Sequence, residues 1–294
     1  EITRSVLQLS DTATIVLPGT VFNKAIEIEK KIARGDAVTI KLGYDDQFTS
    51  EFTGYIDSIA TDDENIKINC EDSLFLLKKP VANKQFANPD LNTLLKYVLA
   101  DWPNMQIACD YSFSYETYTI RNATAYQVIK KIQEETKANI YLKGNTLHVH
   151  PQYSELFGEV EYSFQQNIES SDLAYKNAND RIVLITVEGK GNDGKVIKAT
   201  AGQTGGDTET IKIDGVSSLA SLQTMADNRL KQKSYTGYSG SITGWLIPYV
   251  DAGYKATITD SEYDYKSGSY YVTEVVTTFS KEGGKRNIKI GLKI

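Results

Sequence analysis

The sequence is poor in the residues that carry most protein chemistry. It has two cysteines, Cys70 and Cys109, and two histidines, His148 and His150, in 294 residues. Two cysteines cannot make a disulfide framework, and two free thiols fit synthesis in a reducing compartment. With six prolines in the chain, nothing in the composition looks disordered, collagenous or low-complexity. No apolar run reaches the roughly 18 residues of a membrane-spanning helix, and no secretory signal is visible. There is also no dense basic block. The nearest are the pairs Lys30-Lys31, Lys78-Lys79 and Lys130-Lys131, and the net charge is −6, so a phosphate-binding basic face is not expected.

What is present is an ordinary globular balance, 40% hydrophobic and 24% charged, with 19 tyrosines. The length suggests about two domains. Tyrosine favours strands and half-buried surfaces, so sheets are expected, some of them facing partners.

The first stretch alternates at period two. Ile15 to Leu17 runs into a Pro18-Gly19 turn, and Ala25 to Glu29 places Ile26 and Ile28 on one face. Val38, Ile40 and Leu42 share a face. Phe52 to Ile59 and Ile66 to Cys70 follow, separated by the acidic turn at 62–65. This spacing reads as a small barrel or sandwich over residues 1–79. Composition shifts at Lys78-Lys79-Pro80. Apolar residues at 91, 94, 95, 98 and 99 then mark a helix ended by Pro103. Thr124 and Gln127 have capping-box spacing for a second helix, with Ala125, Val128, Ile129 and Ile132 as its stripe. A hairpin turning at Lys143-Gly144-Asn145 completes an α+β module over 80–155. Residues 156–294 return to strands, near 181–188, 195–199, 239–246, 255–258, 270–279 and 287–294. One helix interrupts them, capped by Ser217 or Ser218, with Leu219, Leu222, Ala226 and Leu230 on one side.

The two β regions echo each other. Gly35 to Ile40 aligns with Gly253 to Ile258, Tyr55 to Thr61 with Tyr271 to Thr277, and Ile66 to Ile68 with Ile288 to Ile290. The expected fold is therefore mainly β, with two similar β-barrels separated by a small α+β module. Three such chains in a ring would present six similar barrels.

Motifs for chemistry are weak. Gly189-Lys-Gly-Asn-Asp-Gly194 matches the dinucleotide fingerprint literally. Strand residues follow it, however, where that motif requires a helix, so a hairpin turn is expected. Gly237-Tyr-Ser239-Gly lacks the final glycine of a nucleophile elbow. His148 and His150 share a face of one strand, but no third metal ligand can be named. Asn122-Ala-Thr124 fits a glycosylation acceptor and also caps a helix, which is the preferred role. No carboxylate spacing singles out a catalytic pair. No catalytic, cofactor-binding or metal residue is assigned, no cofactor is expected, and the protein is read as a non-enzyme.

The order of these elements resembles the baseplate hub proteins of contractile phage tails, the late control protein D family, and the related spike hub of type VI secretion. The resemblance is carried by Ile32-Ala-Arg-Gly-Asp-Ala-Val-Thr-Ile40, Phe52-Thr-Gly-Tyr-Ile-Asp-Ser-Ile59, Cys70-Glu-Asp-Ser-Leu-Phe-Leu-Leu77, the helix and hairpin of 123–149, and 268–291. It implies two tube-forming barrels, a homotrimer with quasi-sixfold symmetry, and tail tube, spike and baseplate wedge proteins as partners. It further implies DNA passing through without specific binding, no membrane insertion, and a place in the virion tail after synthesis in the bacterial cytoplasm. No needle or lysozyme-like domain is visible, so the expectation is a hub whose spike is another polypeptide. Residues 1–79 hold 14 acidic and 9 basic residues, a net of −5, as an acidic lumen would need. Two other classes remain open on the residues alone: an extracellular β-sandwich that binds glycans, and a hydrolase built on a carboxylate pair.

Overall fold

A computed structural model of the chain describes residues 1–18, 20–21, 24–25, 30–61, 64–180, 182–191, 194–216 and 218–294. The expected turn at Gly19, the alternation of Ile26 to Glu29, the acidic Asp62-Asp63, Arg181, the Asn192-Asp193 turn and Ser217 lie outside the described residues.

The first β region comprises β1 (Ile2–Ser5), β2 (Thr12–Pro18), the short β3 (Thr20–Val21) and β4 (Lys24–Ala25), β5 (Ala37–Tyr44), β6 (Gln47–Thr61) and β7 (Asn65–Glu71). Apart from the β3–β4 ribbon, its strands lie in the order β1-β2-β7-β6-β5, all antiparallel. The even spacing of Ile56, Ile66, Ile68 and Cys70 puts them with Ile2, Ala13 and Phe52 in one core.

The middle region begins with a short 3-10 turn at Ser73–Leu77, capped by Asp72. It continues with β8 (Lys84–Ala87), α1 (Leu91–Val98), β9 (Gln106–Cys109), β10 (Thr117–Ile120), α2 (Ala125–Thr136), β11 (Ala138–Lys143) and β12 (Thr146–Pro151). Asp90 caps α1 by accepting from Thr93 N, a signal the sequence reading did not use. Leu91, Leu94, Leu95, Val98 and Leu99 are all buried, as the helical spacing requires. The capping box of α2 is present in full, with Thr124 Oγ1 accepting from Gln127 N and Gln127 Oε1 from Thr124 N.

The last region holds β13 (Gly158–Ser163), β14 (Ser170–Lys176), β15 (Val183–Lys190), β16 (Val196–Gly202), β17 (Asp207–Asp214), α3 (Leu219–Lys233), β18 (Gly237–Trp245), β19 (Tyr254–Thr259), β20 (Gly268–Ser280) and β21 (Gly283–Lys293). Residues 183–233 were expected within the second barrel as strands and one helix. They form a separate three-stranded sheet covered by α3, and its buried Ile185, Val187, Leu222 and Met225 join the core of the middle region. On α3 the buried residues are Leu222, Met225 and Ala226, whereas Leu219 is exposed. Ser218 is the cap among the described residues.

The remaining strands of the last region lie in the order β14-β18-β21-β20-β19, all antiparallel, with β13 added parallel to β19. Numbered along the chain, both halves therefore have the strand order 1-2-5-4-3. The echo read from the sequence is a repeated topology. Its registers agree as well: Ala37 faces Tyr55 and, at the aligned positions, Lys255 faces Tyr271. The third aligned segment needs a correction. Ile59 faces Ile68 while Val275 faces Ile288, so Ile68, not Ile66, is the counterpart of Ile288.

Both expected β regions are present, but neither closes into a barrel among the described residues. Among the described residues β5 and β14 each have a strand neighbour on one side only. The halves run into one another through an antiparallel β1–β20 pair, in which Ile2 faces Thr277 and Ser5 faces Glu274, giving one 11-stranded sheet. The physical cause is the length of β20. Its first residues pair with β19, and its later ones extend past that partner and take β1 instead.

Candidate functional site

The chemistry of the molecule concentrates where its two halves join. Arg4 on β1 and Arg286 on β21 both reach Glu51 on β6, and all three are buried. Arg4 Nη2 lies 3.3 Å from Glu51 Oε2, and Arg286 Nη2 bonds Glu51 Oε1. Arg4 Nε also meets Asp251 at 3.1 Å, and Arg4 Nη1 donates to Tyr249 Oη at 2.7 Å. Both guanidiniums stand over the Tyr249 ring, at 5.2 and 5.1 Å. Burial acts to lower the Arg4 pKa, but Asp251, Tyr249 and Glu51 outweigh it and hold Arg4 firmly charged. Three charges from different parts of the chain, nearly dry and paired with one another, tie the two halves together.

One end of the molecule gathers exposed apolar residues. The β5–β6 hairpin turns at Asp45 and Asp46, both in the left-handed region, and Tyr44 Oη reaches the Gly284 carbonyl at 3.2 Å. Around this contact Phe48, Trp245 and Phe279 are 60%, 45% and 57% exposed. Three exposed aromatic side chains are thus carried on paired strands around one contact.

The residues considered for other chemistry have structural places. His148 and His150 do share a face of β12. Both contact the Tyr141 ring, His148 stacked at 4.9 Å and His150 edge-on at 5.4 Å. His150 Nδ1 lies 3.2 Å from Ser154 Oγ. Among the described residues no group of three or more His, Cys, Asp or Glu could hold a metal ion. Gly189 is the penultimate residue of β15, and Gly194 lies two residues before β16 starts at Val196. The two strands pair antiparallel, so the glycine-rich run is a hairpin connection and not a strand-to-helix loop. A Cβ at Gly189 would sit 2.4 Å from the Val216 carbonyl, so packing requires glycine there. Ser239 lies within β18 and donates to the Ala174 carbonyl at 3.4 Å. Asn122 is tied to Asn83 through its backbone N–H and its side chain. Cys70 is buried and Cys109 half-buried; both are free, and burial pushes both thiols up.

Sequence reasoning missed one acidic pair. Asp11 and Asp72 line a cleft of about 340 Å³ beside the β1–β2 connection. Asp72 accepts from Leu74 N at 2.9 Å and from Asp11 N at 3.0 Å, and Asp11 accepts from Ser5 N at 3.2 Å. Burial is the main cause that raises both carboxyls. It carries Asp72 to about 6, and the Asp72 charge adds to the rise at Asp11. Their oxygens already accept backbone donors, so the pair braces the turn that leads β1 into β2. Only the cap spacing Asp72-x-Leu74 signals this in the sequence.

No family model and no curated protein matches the sequence. Solved structures do match. The 43 kDa tail protein of prophage MuSo2 from Shewanella oneidensis is similar over 98% of this chain and 92% of its own, with a TM-score of 0.66 at 15% identity. A tail protein from Neisseria meningitidis is similar over 99% of this chain and 90% of its own, with a TM-score of 0.63 at 16% identity. An Escherichia coli component of the type VI secretion system, described as structurally similar to bacteriophage tail proteins, is similar over 100% of this chain and 72% of its own, with a TM-score of 0.62 at 9% identity. The doubled sheet with its middle α+β region is the fold of phage tail proteins and of this secretion-system component.

Proposed function

We propose that the chain is a structural hub subunit of a phage or prophage tail or contractile injection device, not an enzyme. Three copies form a ring of quasi-sixfold symmetry that joins the tail tube to the central spike. The observation that carries this reading is the repeated five-strand order with matching registers in the two halves. A chain holding two alike units turns threefold assembly into six near-equivalent positions, as docking on a sixfold tube demands. In this reading the chain divides as residues 1–79, 80–155 and 156–294, with 183–233 inserted into the last part and packed on the middle one. The exposed Phe48, Trp245 and Phe279 face takes the tube or the spike, and wedge proteins bind the periphery. The net charge of −6 lets DNA pass without adhering. The place of the protein is the virion tail or baseplate, after synthesis in the bacterial cytoplasm.

The test is mass in solution, alone and with the tail tube protein of the same genome. A species of three times the 32.7 kDa chain mass that captures the tube protein supports the proposal. A chain that stays monomeric and ignores the tube protein at every concentration overturns it.

A further inference from the structure

The cleft that holds Asp11 and Asp72 carries an unmet hydrogen bond and unmatched charge. It opens where three parts of the chain meet: the β1–β2 connection, strand β11, and the turn 251–254 that opens β19. Asn139 on β11 lines it and is only 2% exposed, yet its Nδ2 has no hydrogen-bond partner. Its cross-strand neighbour His150 is engaged elsewhere, with Nδ1 3.2 Å from Ser154 Oγ and Nε2 3.5 Å from Glu155 Oε2. An amide this buried normally has a partner, and leaving it without one is costly.

The charge on the opposite side of the cleft is also incomplete. Arg4 and Arg286 are matched by Glu51 and Asp251. Asp11 and Asp72 are left with no ion-pair partner among the described residues. Asp11 Oδ1 accepts from Ser5 N, and its other oxygen takes no donor among the described residues. Burial raises the Asp11 pKa, and the Asp72 and Asp251 charges raise it further. The three carboxyls oppose one another, and an added cation relieves them. Among the described residues no group of three His, Cys, Asp or Glu could hold a metal ion, which leaves an ammonium or a guanidinium.

The walls suit such a cation. Tyr141, Phe157 and Tyr254 line the same cleft, with the Tyr141 and Phe157 rings edge-to-face at 5.0 Å. Two glycines let the rings lie close on the backbone. A Cβ at Gly253 would sit 2.3 Å from the Phe157 ring, and one at Gly158 would sit 2.6 Å from the Tyr254 ring. Aromatic faces beside carboxylates favour a cation and the methylenes that carry it. The cleft, about 340 Å³, is at the small end of ligand sites, the size for one long side chain and the backbone beside it.

We infer that this cleft takes a lysine or arginine side chain from an extended segment of a partner protein. The cationic head meets the free oxygen of Asp11, with the Asp72 charge behind it. The methylenes lie along the aromatic wall, and a backbone carbonyl of the segment accepts from Asn139 Nδ2. One occupant thus supplies both things the cleft lacks, positive charge and an acceptor.

Blocked tripeptides test it, acetyl-Gly-Lys-Gly-amide with its arginine and norleucine counterparts, titrated against the full chain by ligand-observed NMR. The two basic peptides are expected to bind and the norleucine peptide is not. Asp11→Asn should weaken the lysine peptide about tenfold, and Asn139→Leu about three- to tenfold. Asn139→Leu should also raise the midpoint of a urea melt, because a side chain of the same shape removes an unpaired amide from the interior. Butylammonium, a cation without a carbonyl, should lose affinity with Asp11→Asn and keep it with Asn139→Leu. Glu188→Gln, on the separate three-stranded sheet, is the charge control and should leave binding unchanged. Failure of both basic peptides to bind at millimolar concentration overturns the proposal. Binding that neither variant alters overturns it as well, since the peptide then sits elsewhere on the acidic surface. A lowered urea midpoint or a failure to fold in Asn139→Leu means that the amide serves the fold and overturns the part given to Asn139, while Asp11→Asn still decides the cation site.

Discussion

Asp57 and Thr273 occupy the same place in the two halves of the protein, and each is the extra residue of a β-bulge. Ile56 faces Cys70 and Ser58 faces Asn69, leaving Asp57 unpaired. Val272 faces Ile290 and Glu274 faces Lys289, leaving Thr273 unpaired. A bulge bends its strand and raises the local twist. Here it falls where each long strand leaves its hairpin partner behind. The freed Thr273 carbonyl then accepts from Val6 N at 3.0 Å and from Ser5 Oγ at 3.3 Å, which ends β1 at the junction. The Asp57 carbonyl accepts Arg34 Nε at 3.1 Å instead. The Asp57 carboxylate bonds Lys78 at 2.9 Å and Arg34 at 3.2 Å; burial acts to raise its pKa, but the two cations outweigh it and hold it low.

Deleting Thr273 removes the bulge but keeps Val272 opposite Ile290 and Val275 opposite Ile288; what is lost is the bend of β20 and the Thr273 carbonyl that accepts from Val6 N and Ser5 Oγ at the β1 junction. The expected outcome is a protein that melts clearly earlier in urea, through a weakened junction between the halves. Thr273→Ala keeps the bulge and loses mainly the bond from Thr273 Oγ1 to the Lys289 carbonyl, at 3.1 Å. It should cost only about 1 kcal/mol in a urea melt. A deletion as stable as the substitution would mean that the bulge is dispensable.

Glu51→Gln leaves Arg4 and Arg286 facing each other without their shared counter-charge. Removing one member of a buried ion cluster costs about 3–5 kcal/mol. The comparison is Glu169→Gln, which breaks the partly exposed pair with Lys285. That change should stay within about 1 kcal/mol. Chemical denaturation of the two variants side by side checks the contrast.

The folded Asp72 carboxyl titrates near 6, above the unfolded value near 3.9. Between these values the folded state holds a proton that the unfolded state has released. Asp72 therefore favours folding fully below pH 4, and its contribution falls as pH rises through 6. Asp72→Asn should flatten the stability profile between pH 4 and 6 by on the order of 1–2 kcal/mol relative to the native chain. The difference between the two melt series across that window is the readout. A parallel offset at every pH would show that the group does not titrate there.

Much of the fold was legible in the sequence. Alternation at period two marked the strands, and Tyr55 and Tyr271 carried the repeat into register. The third aligned segment slipped by two residues, because Ile66-Lys-Ile68 and Ile68-Asn-Cys70 offer the same alternation and hairpin length does not show in a period-two pattern. The stripe on α3 missed Met225 and included exposed Leu219, since its neighbours β15 and β16 decide which side is covered. The Arg4–Glu51–Arg286 cluster could not be read, because its members lie up to 282 positions apart and nothing local marks them. The open edges of β5 and β14 were likewise invisible, since an edge is defined by which strand is missing beside it.

The central claim is that each chain supplies two alike units to one ring. End-on averages of the purified assembly by electron cryo-microscopy test it most directly. Six lobes of near-equal size around a central channel, built from three chains, are expected. Three lobes, a twofold particle, or six positions whose strand order differs between alternate lobes would contradict the account.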